Sequence, residues 1–105
     1  MDADIQDTLR SKGRPKSAIA GLPVSVKSLF DVAGETTTAG STILNGNPPA
    51  KKDATSVARL RSAGAIIIGH TNMTEFAYSG LGINPHYGTA KNPWDRKTGR
   101  IPGGS

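Results

Sequence analysis

The chain has no cysteine, which excludes a disulfide framework, thiol catalysis and cysteine metal sites. Aromatic residues are also scarce, with Trp94 the single tryptophan. Nucleic-acid binding through a basic stripe with interleaved aromatics is therefore disfavoured. The charge of +5 is spread over Lys12, Arg14 and Lys16, then Lys51 and Lys52, then Arg96, Lys97 and Arg100, as on a solvated face. No apolar run approaches membrane-spanning length. Met1-Asp2-Ala3-Asp4 is acidic where a signal peptide would be basic, so a soluble, cytoplasmic protein is the expectation. His70 and His86 are the only histidines, and neither has a second histidine or carboxylate at ligand spacing. His70 after an apolar run reads as a satisfied structural histidine, and His86 as a loop residue. No metal or cofactor is implied.

What the chain does have is glycine and proline, 13 and 7 in 105 residues, gathered in stretches without helical or strand period. Small compact domains seldom carry such long irregular segments. Four stretches stand out against them. Asp4 to Lys12 carries Ile5 and Leu9 four apart and ends at Gly13, which predicts a short amphipathic helix. Leu22, Val24 and Val26 alternate with Pro23 and Ser25 into Lys27, the pattern of a strand whose first residues tolerate proline. Asp53 is placed to cap a helix through Ala54, Val57, Ala58 and Leu60, with Arg59 and Arg61 in its last turn and Gly64 at its end. The run Ala65-Ile66-Ile67-Ile68, bounded by glycines, then predicts a strand buried on both faces, as in a parallel sheet.

Thr71 or Asn72 could cap a second short helix through Met73, Glu75 and Phe76. Residues 31–49 and 80–105 read as loops, the first with short extended pieces. Two parallel strands cannot cover both faces of a sheet, and each leaves an unpaired edge. The expectation is thus an incomplete α/β unit, the N-terminal part of a larger domain, with residues 1–20 as leading helix and connector.

Chemistry points to Lys27. A lysine at the tip of an apolar strand is expected to be partly desolvated, which disfavours its charged form and frees an amine to act as a base. The plainer reading is a lysine that reaches water or pairs with Asp31 or Glu35. Hydroxyls at Ser25, Ser28, Thr36 to Thr38 and Ser41 are too many to nominate one partner. At the other end, Gly103-Gly104-Ser105 is either a solvated tail or a loop that lets chemistry approach its backbone closely.

Four blocks occur in order: Gly21 to Lys27, Thr38 to Ser41, Asp53 to Ala65, and Gly69 to Ala77. They are followed by Gly82-Ile83-Asn84-Pro85, Tyr87-Gly88, Asn92-Pro93-Trp94 and Arg100 to Ser105. The ordered set resembles the amidase signature family. The resemblance covers residues 21–105 and implies an α/β/α sandwich around a mixed central sheet, with a Ser-cisSer-Lys triad that hydrolyses amides. Lys27 matches the catalytic lysine, and Ser105 the bridging serine with its cis peptide bond. Phe76, Ala77, Tyr78, Ser79 and Gly80 match a segment bordering the acyl pocket.

The nucleophilic serine and the oxyanion loop of that family have no match here, so the 105 residues alone are expected to be inactive. Ser28 stands where the family usually has aspartate. The implied partner is a small amide substrate. The alternatives are the A subunit of a tRNA-dependent amidotransferase, which would add partner subunits and tRNA, and a small non-catalytic basic binding module.

Overall fold

The computed structural model describes residues 1–104. Helix α1 spans Asp2–Ser11, and Asp2 and Asp4 in its first turn with Arg10 in its last complement the helix dipole. The expected Ile5 and Leu9 stripe is corrected by the fold. Ile5 is half exposed, and the residue α1 buries is Gln6. The cause lies across the contact, where a Cβ on Gly64 would stand 2.8 Å from Gln6 Oε1 and 2.9 Å from Ala20 Cβ. Only a glycine allows that approach, and the slim glutamine fills it. Arg10 extends the junction by donating from Nη2 to the Ala20 carbonyl at 2.7 Å.

Strand β1, Pro23–Lys27, and strand β2, Ile66–Thr71, form a two-stranded parallel sheet. Between them runs helix α2, Thr55–Ser62. Asp53 does not cap α2. Ala54 holds the N-cap position, while the Asp53 carboxylate accepts from the Ala33 N–H at 2.8 Å and meets Arg61 Nε at 2.9 Å. A carboxylate already engaged by a neighbouring loop and an arginine is not available to the first turn. The C-terminus closes as expected. Gly64 takes φ +92, its N–H donates to the Arg61 carbonyl, and the Ala65 N–H donates to that of Leu60, a Schellman closure.

The register runs Pro23↔Ile66, Val24↔Ile67, Ser25↔Gly69, Val26↔His70 and Lys27↔Thr71, with an irregularity after Val24. Ile68 is therefore the extra residue. Val26, Val32 and Val57 form the core, with Ala54 and Ile67 packed against it. Among the described residues β2 is covered on one face: Ile67 joins this cluster, and Ile68 is 68% exposed. The described residues place α2 against β2 and supply no comparable cover for Ile68.

Residues 31–49 contain turns and bends but none of the expected extended pieces. The second short helix is also corrected. Thr71 ends β2, Asn72 donates from Nδ2 to the Gly88 carbonyl at 2.6 Å, and a single 3-10 turn occupies Glu75–Ala77. Phe76 and Ala77 adopt φ of 52° and 57°, which a regular helix cannot contain. The Phe76 N–H donates instead to the Ala39 carbonyl at 2.8 Å. Residues 80–104 are loops, as expected.

Candidate active site

Lys27 is half buried at the end of β1. Its position is fixed by the ladder on one side and by the following turn on the other. Lys27 pairs in register with Thr71, the Ser28 N–H donates to the Thr71 carbonyl at 3.0 Å, and the Phe30 N–H donates to the Lys27 carbonyl. Ser28 is buried, and its carbonyl accepts from the Ala39 N–H. These bonds fix the backbone from which the Lys27 side chain departs.

Immediately after Thr71, Asn72 and Met73 line a cavity of about 260 Å³ together with Gly82, Ala90, Pro102, Gly103 and Gly104. The residues just after β2 and the Gly103-Gly104 loop thus share one wall. Gly82 makes this possible, because a Cβ there would lie 2.7 Å from the Gly104 carbonyl oxygen and 2.9 Å from that of Gly103. The Gly82 N–H donates to the Gly103 carbonyl at 3.1 Å. Ser105 and the peptide bond leading to it lie outside the described residues.

Phe76, Ala77, Tyr78, Ser79 and Gly80 follow on the far side of Met73. Phe76, Tyr78 and Ser79 line a surface depression of about 450 Å³ with Thr74, Glu75, Ile83 and Pro85. Gly80 lies beside the glycine loop, since its carbonyl oxygen would stand 3.4 Å from a Cβ on Gly104. The segment therefore connects the depression with the glycine loop.

Between these regions lies a buried polar hub that sequence reasoning missed. Asn84 is 2% exposed and donates from Nδ2 to the carbonyls of Gly40 and Met73 at 2.8 and 2.7 Å. Its Oδ1 accepts from the N–H groups of His86 and Tyr87. Ser41 is fully buried and donates from Oγ to Glu75 Oε1 at 2.7 Å, while Tyr87 donates from its phenol to the Ser41 carbonyl at 3.2 Å. Glu75 Oε2 also lies 3.5 Å from His86 Nε2. The Ser41 hydrogen bond foremost, then the neighbouring His86, hold the Glu75 carboxyl below its ordinary value against an opposing desolvation. The one signal in the sequence was Gly40: at φ +70 its missing Cβ would stand 2.7 Å from the Met73 carbonyl and 2.8 Å from Asn84 Nδ2.

His86 sits on a loop, as expected. The reading of His70 as a satisfied histidine is corrected: its Nε2 is buried with no hydrogen-bond partner among the described residues. Burial followed from the strand, whereas a partner had to come from a neighbouring segment. No helix among the described residues is long and apolar enough to cross a membrane.

The family model described as Amidase matches residues 2–105. The chain is 51% identical over 104 residues to the AtzE component of 1-carboxybiuret hydrolase from Pseudomonas sp. (strain ADP), covering 99% of this chain and 22% of that protein. It is 50% identical over 90 residues to the A subunit of glutamyl-tRNA(Gln) amidotransferase from Syntrophobacter fumaroxidans, covering 85% and 18%. Among solved structures, a chain from a vestigial protein complex tied to the origins of an s-triazine catabolic enzyme superposes with a TM-score of 0.91. That pair is 51% identical and covers 99% of this chain and 22% of the other. The chain thus spans about a fifth of the length of the relatives it matches. The α/β architecture is the one these neighbours share, as a partial unit of their fold.

Proposed function

Because the chain belongs to the amidase family, we propose that the longer protein containing these residues hydrolyses the carbon–nitrogen bond of a small linear amide, using Lys27 and Ser105 as two members of a Ser-cisSer-Lys relay. The observation that carries this reading is the family match over residues 2–105; among the described residues Lys27 lines a cavity with Ser25, Val26, Phe30, Ser56, Val57 and Leu60, separate from the one that Asn72 and Met73 share with Gly103 and Gly104. A neutral Lys27 amine takes the proton of the Ser105 hydroxyl while that oxygen takes the proton of a serine beyond these residues. The deprotonated serine attacks the amide carbonyl. The relay then returns the proton to the departing amine, leaving an ester that water hydrolyses. Phe76, Ala77, Tyr78, Ser79 and Gly80 border the acyl group. The relay needs no metal or cofactor, and the enzyme works in the cytoplasm.

A second reading is favoured by the 50% identity to an amidotransferase A subunit. In it the same relay frees ammonia from glutamine and passes it to charged tRNA with the help of partner subunits. The binding-module reading is set aside, because the family match over residues 2–105 accounts for the motifs together.

The test is ammonia release by the full-length protein from small amides, alone and then with glutamine, charged tRNA and candidate partner subunits. Turnover of a small amide by the protein alone supports the hydrolase. Turnover of glutamine only in the assembled complex supports the second reading. The 105-residue polypeptide alone is expected to release none, and release abolished by Lys27→Ala would overturn that expectation.

A further inference from the structure

The 3-10 turn Glu75–Ala77 holds two of the three side-chained residues at positive φ among the described residues. Two consecutive side-chained residues, Phe76 and Ala77, sit in the left-handed region at φ 52° and 57°. Such conformations persist only where surrounding contacts enforce them. The backbone supplies part of the enforcement, through Phe76 N–H to the Ala39 carbonyl and Ala77 N–H to that of Thr74. The Tyr78 N–H adds a bond to the Glu75 carbonyl at 3.1 Å, so both ends of the turn are closed by backbone. The Glu75 side chain ties the turn to its surroundings, its two carboxylate oxygens going to different partners: Oε1 to Ser41 Oγ at 2.7 Å and Oε2 to His86 Nε2 at 3.5 Å.

Both partners are anchored. Ser41 has no exposed surface and its hydroxyl also accepts from the Ile43 N–H at 3.3 Å. The His86 backbone is tied to Asn84 Oδ1 at 2.8 Å, and Asn84 in turn grips Gly40 and Met73. Glu75 therefore joins the loop around residue 41 to the loop around residue 86, across the turn that carries Phe76, Tyr78 and Ser79 to the depression. The groups facing its carboxylate are the Ser41 hydroxyl and the His86 imidazole, and the Tyr87 phenol is engaged by the Ser41 carbonyl.

We propose that Glu75, braced between Ser41 and His86, is a positioning residue that fixes the Phe76–Ala77 turn and thereby the shape of the acyl-binding surface, without taking part in proton transfer. The inference rests on the assignment of that surface to the acyl pocket. It separates binding from chemistry: the relay residues Lys27 and Ser105 set the rate of bond breaking, whereas the Glu75 brace sets how well the acyl group is held.

The experiment compares the full-length protein with its Glu75→Gln, His86→Gln and doubly substituted forms. Glutamine at 75 retains an acceptor for Ser41 but loses the charge facing His86. Each single substitution is expected to raise KM about tenfold with kcat within about twofold, because uniform binding rather than transition-state stabilisation is lost. The double substitution should cost no more than either single one, as expected for two ends of one interaction. Hydrogen exchange supplies the second readout: the Phe76 amide should exchange faster in each variant while the β1–β2 ladder amides do not change. A fall in kcat at constant KM, additive single effects, or an unaltered Phe76 amide overturns the proposal. If the full-length protein cleaves no amide, the acyl-pocket assignment fails, and exchange at Phe76 still decides whether Glu75 locks the turn.

Discussion

The parallel ladder and the loop hub reverse the usual division of labour. In the ladder, regular backbone pairing from Pro23 to Lys27 against Ile66 to Thr71 leaves Ile68 68% exposed. In the hub, irregular loops bury Ser41, Thr74 and Asn84 to 2% or less. Among the described residues the ladder pairs each strand along one edge and leaves part of its apolar surface uncovered, whereas the hub partners the side chains of Ser41 and Asn84 and leaves only the Thr74 hydroxyl of the three without a hydrogen bond. Regularity and burial are separate achievements. A parallel strand needs cover on both faces to hide its side chains. A loop needs only a few well-placed donors, and here one asparagine supplies bonds to four backbone groups.

The largest effect should arise at the tip of the ladder. In the full-length protein, Lys27→Ala is expected to lower kcat about 10³-fold or more, within the range for a lost general base. Steady-state kinetics checks this, and a loss below tenfold would remove the ladder's claim to the chemistry. Next comes the hub. Gly40→Ala adds a Cβ 2.7 Å from the Met73 carbonyl and 3.0 Å from that of Thr74, at φ +70, so neither neighbour nor backbone can yield easily. A destabilisation of about 2–4 kcal/mol is expected in denaturant titration.

Acid tests the hub in a different way. The Glu75 carboxyl is held below its ordinary value of 4.5, so its contribution is complete above that value and disappears as pH falls through the lower folded value. Phe76 amide exchange, taken relative to the intrinsic rate at each pH and followed from about pH 6 downward, should accelerate in that acidic window and not near neutrality. Acceleration that survives in Glu75→Gln would assign the effect to another group. The smallest effect belongs to the ladder again: Gly69→Ala meets nothing within 4 Å, and a change within about 0.5 kcal/mol is expected. A cost above about 2 kcal/mol in the full-length protein would mean that residues beyond these cover the strand, and the contrast with Gly40 would narrow.

Legibility in the sequence followed the range of the interactions. The alternation before Lys27, the isoleucine run and the Gly64 stop were readable because each is set within one strand or one helical turn. Asp53 misled because its type suits a cap, yet it was engaged by Ala33, 20 residues away, and by Arg61. Ile5 and Leu9 announced an apolar face, but the close approach at Gly64 favoured Gln6. Apart from Gly40 the hub left no signal for the same reason: Asn84 reaches Gly40 across 44 residues and Ser41 reaches Glu75 across 34, and no period links them.

The sequence by itself determined α1, β1, α2 and β2, their order, the lysine at a strand tip and the amidase family. Tertiary structure alone decided which polar side chains are buried, why Phe76 and Ala77 occupy the left-handed region, and that Asn72 and Met73, just after β2, share a cavity with Gly103 and Gly104. Local patterns select backbone conformation through sterics and neighbouring hydrogen bonds. Buried polar groups are satisfied only by partners the fold brings from far along the chain.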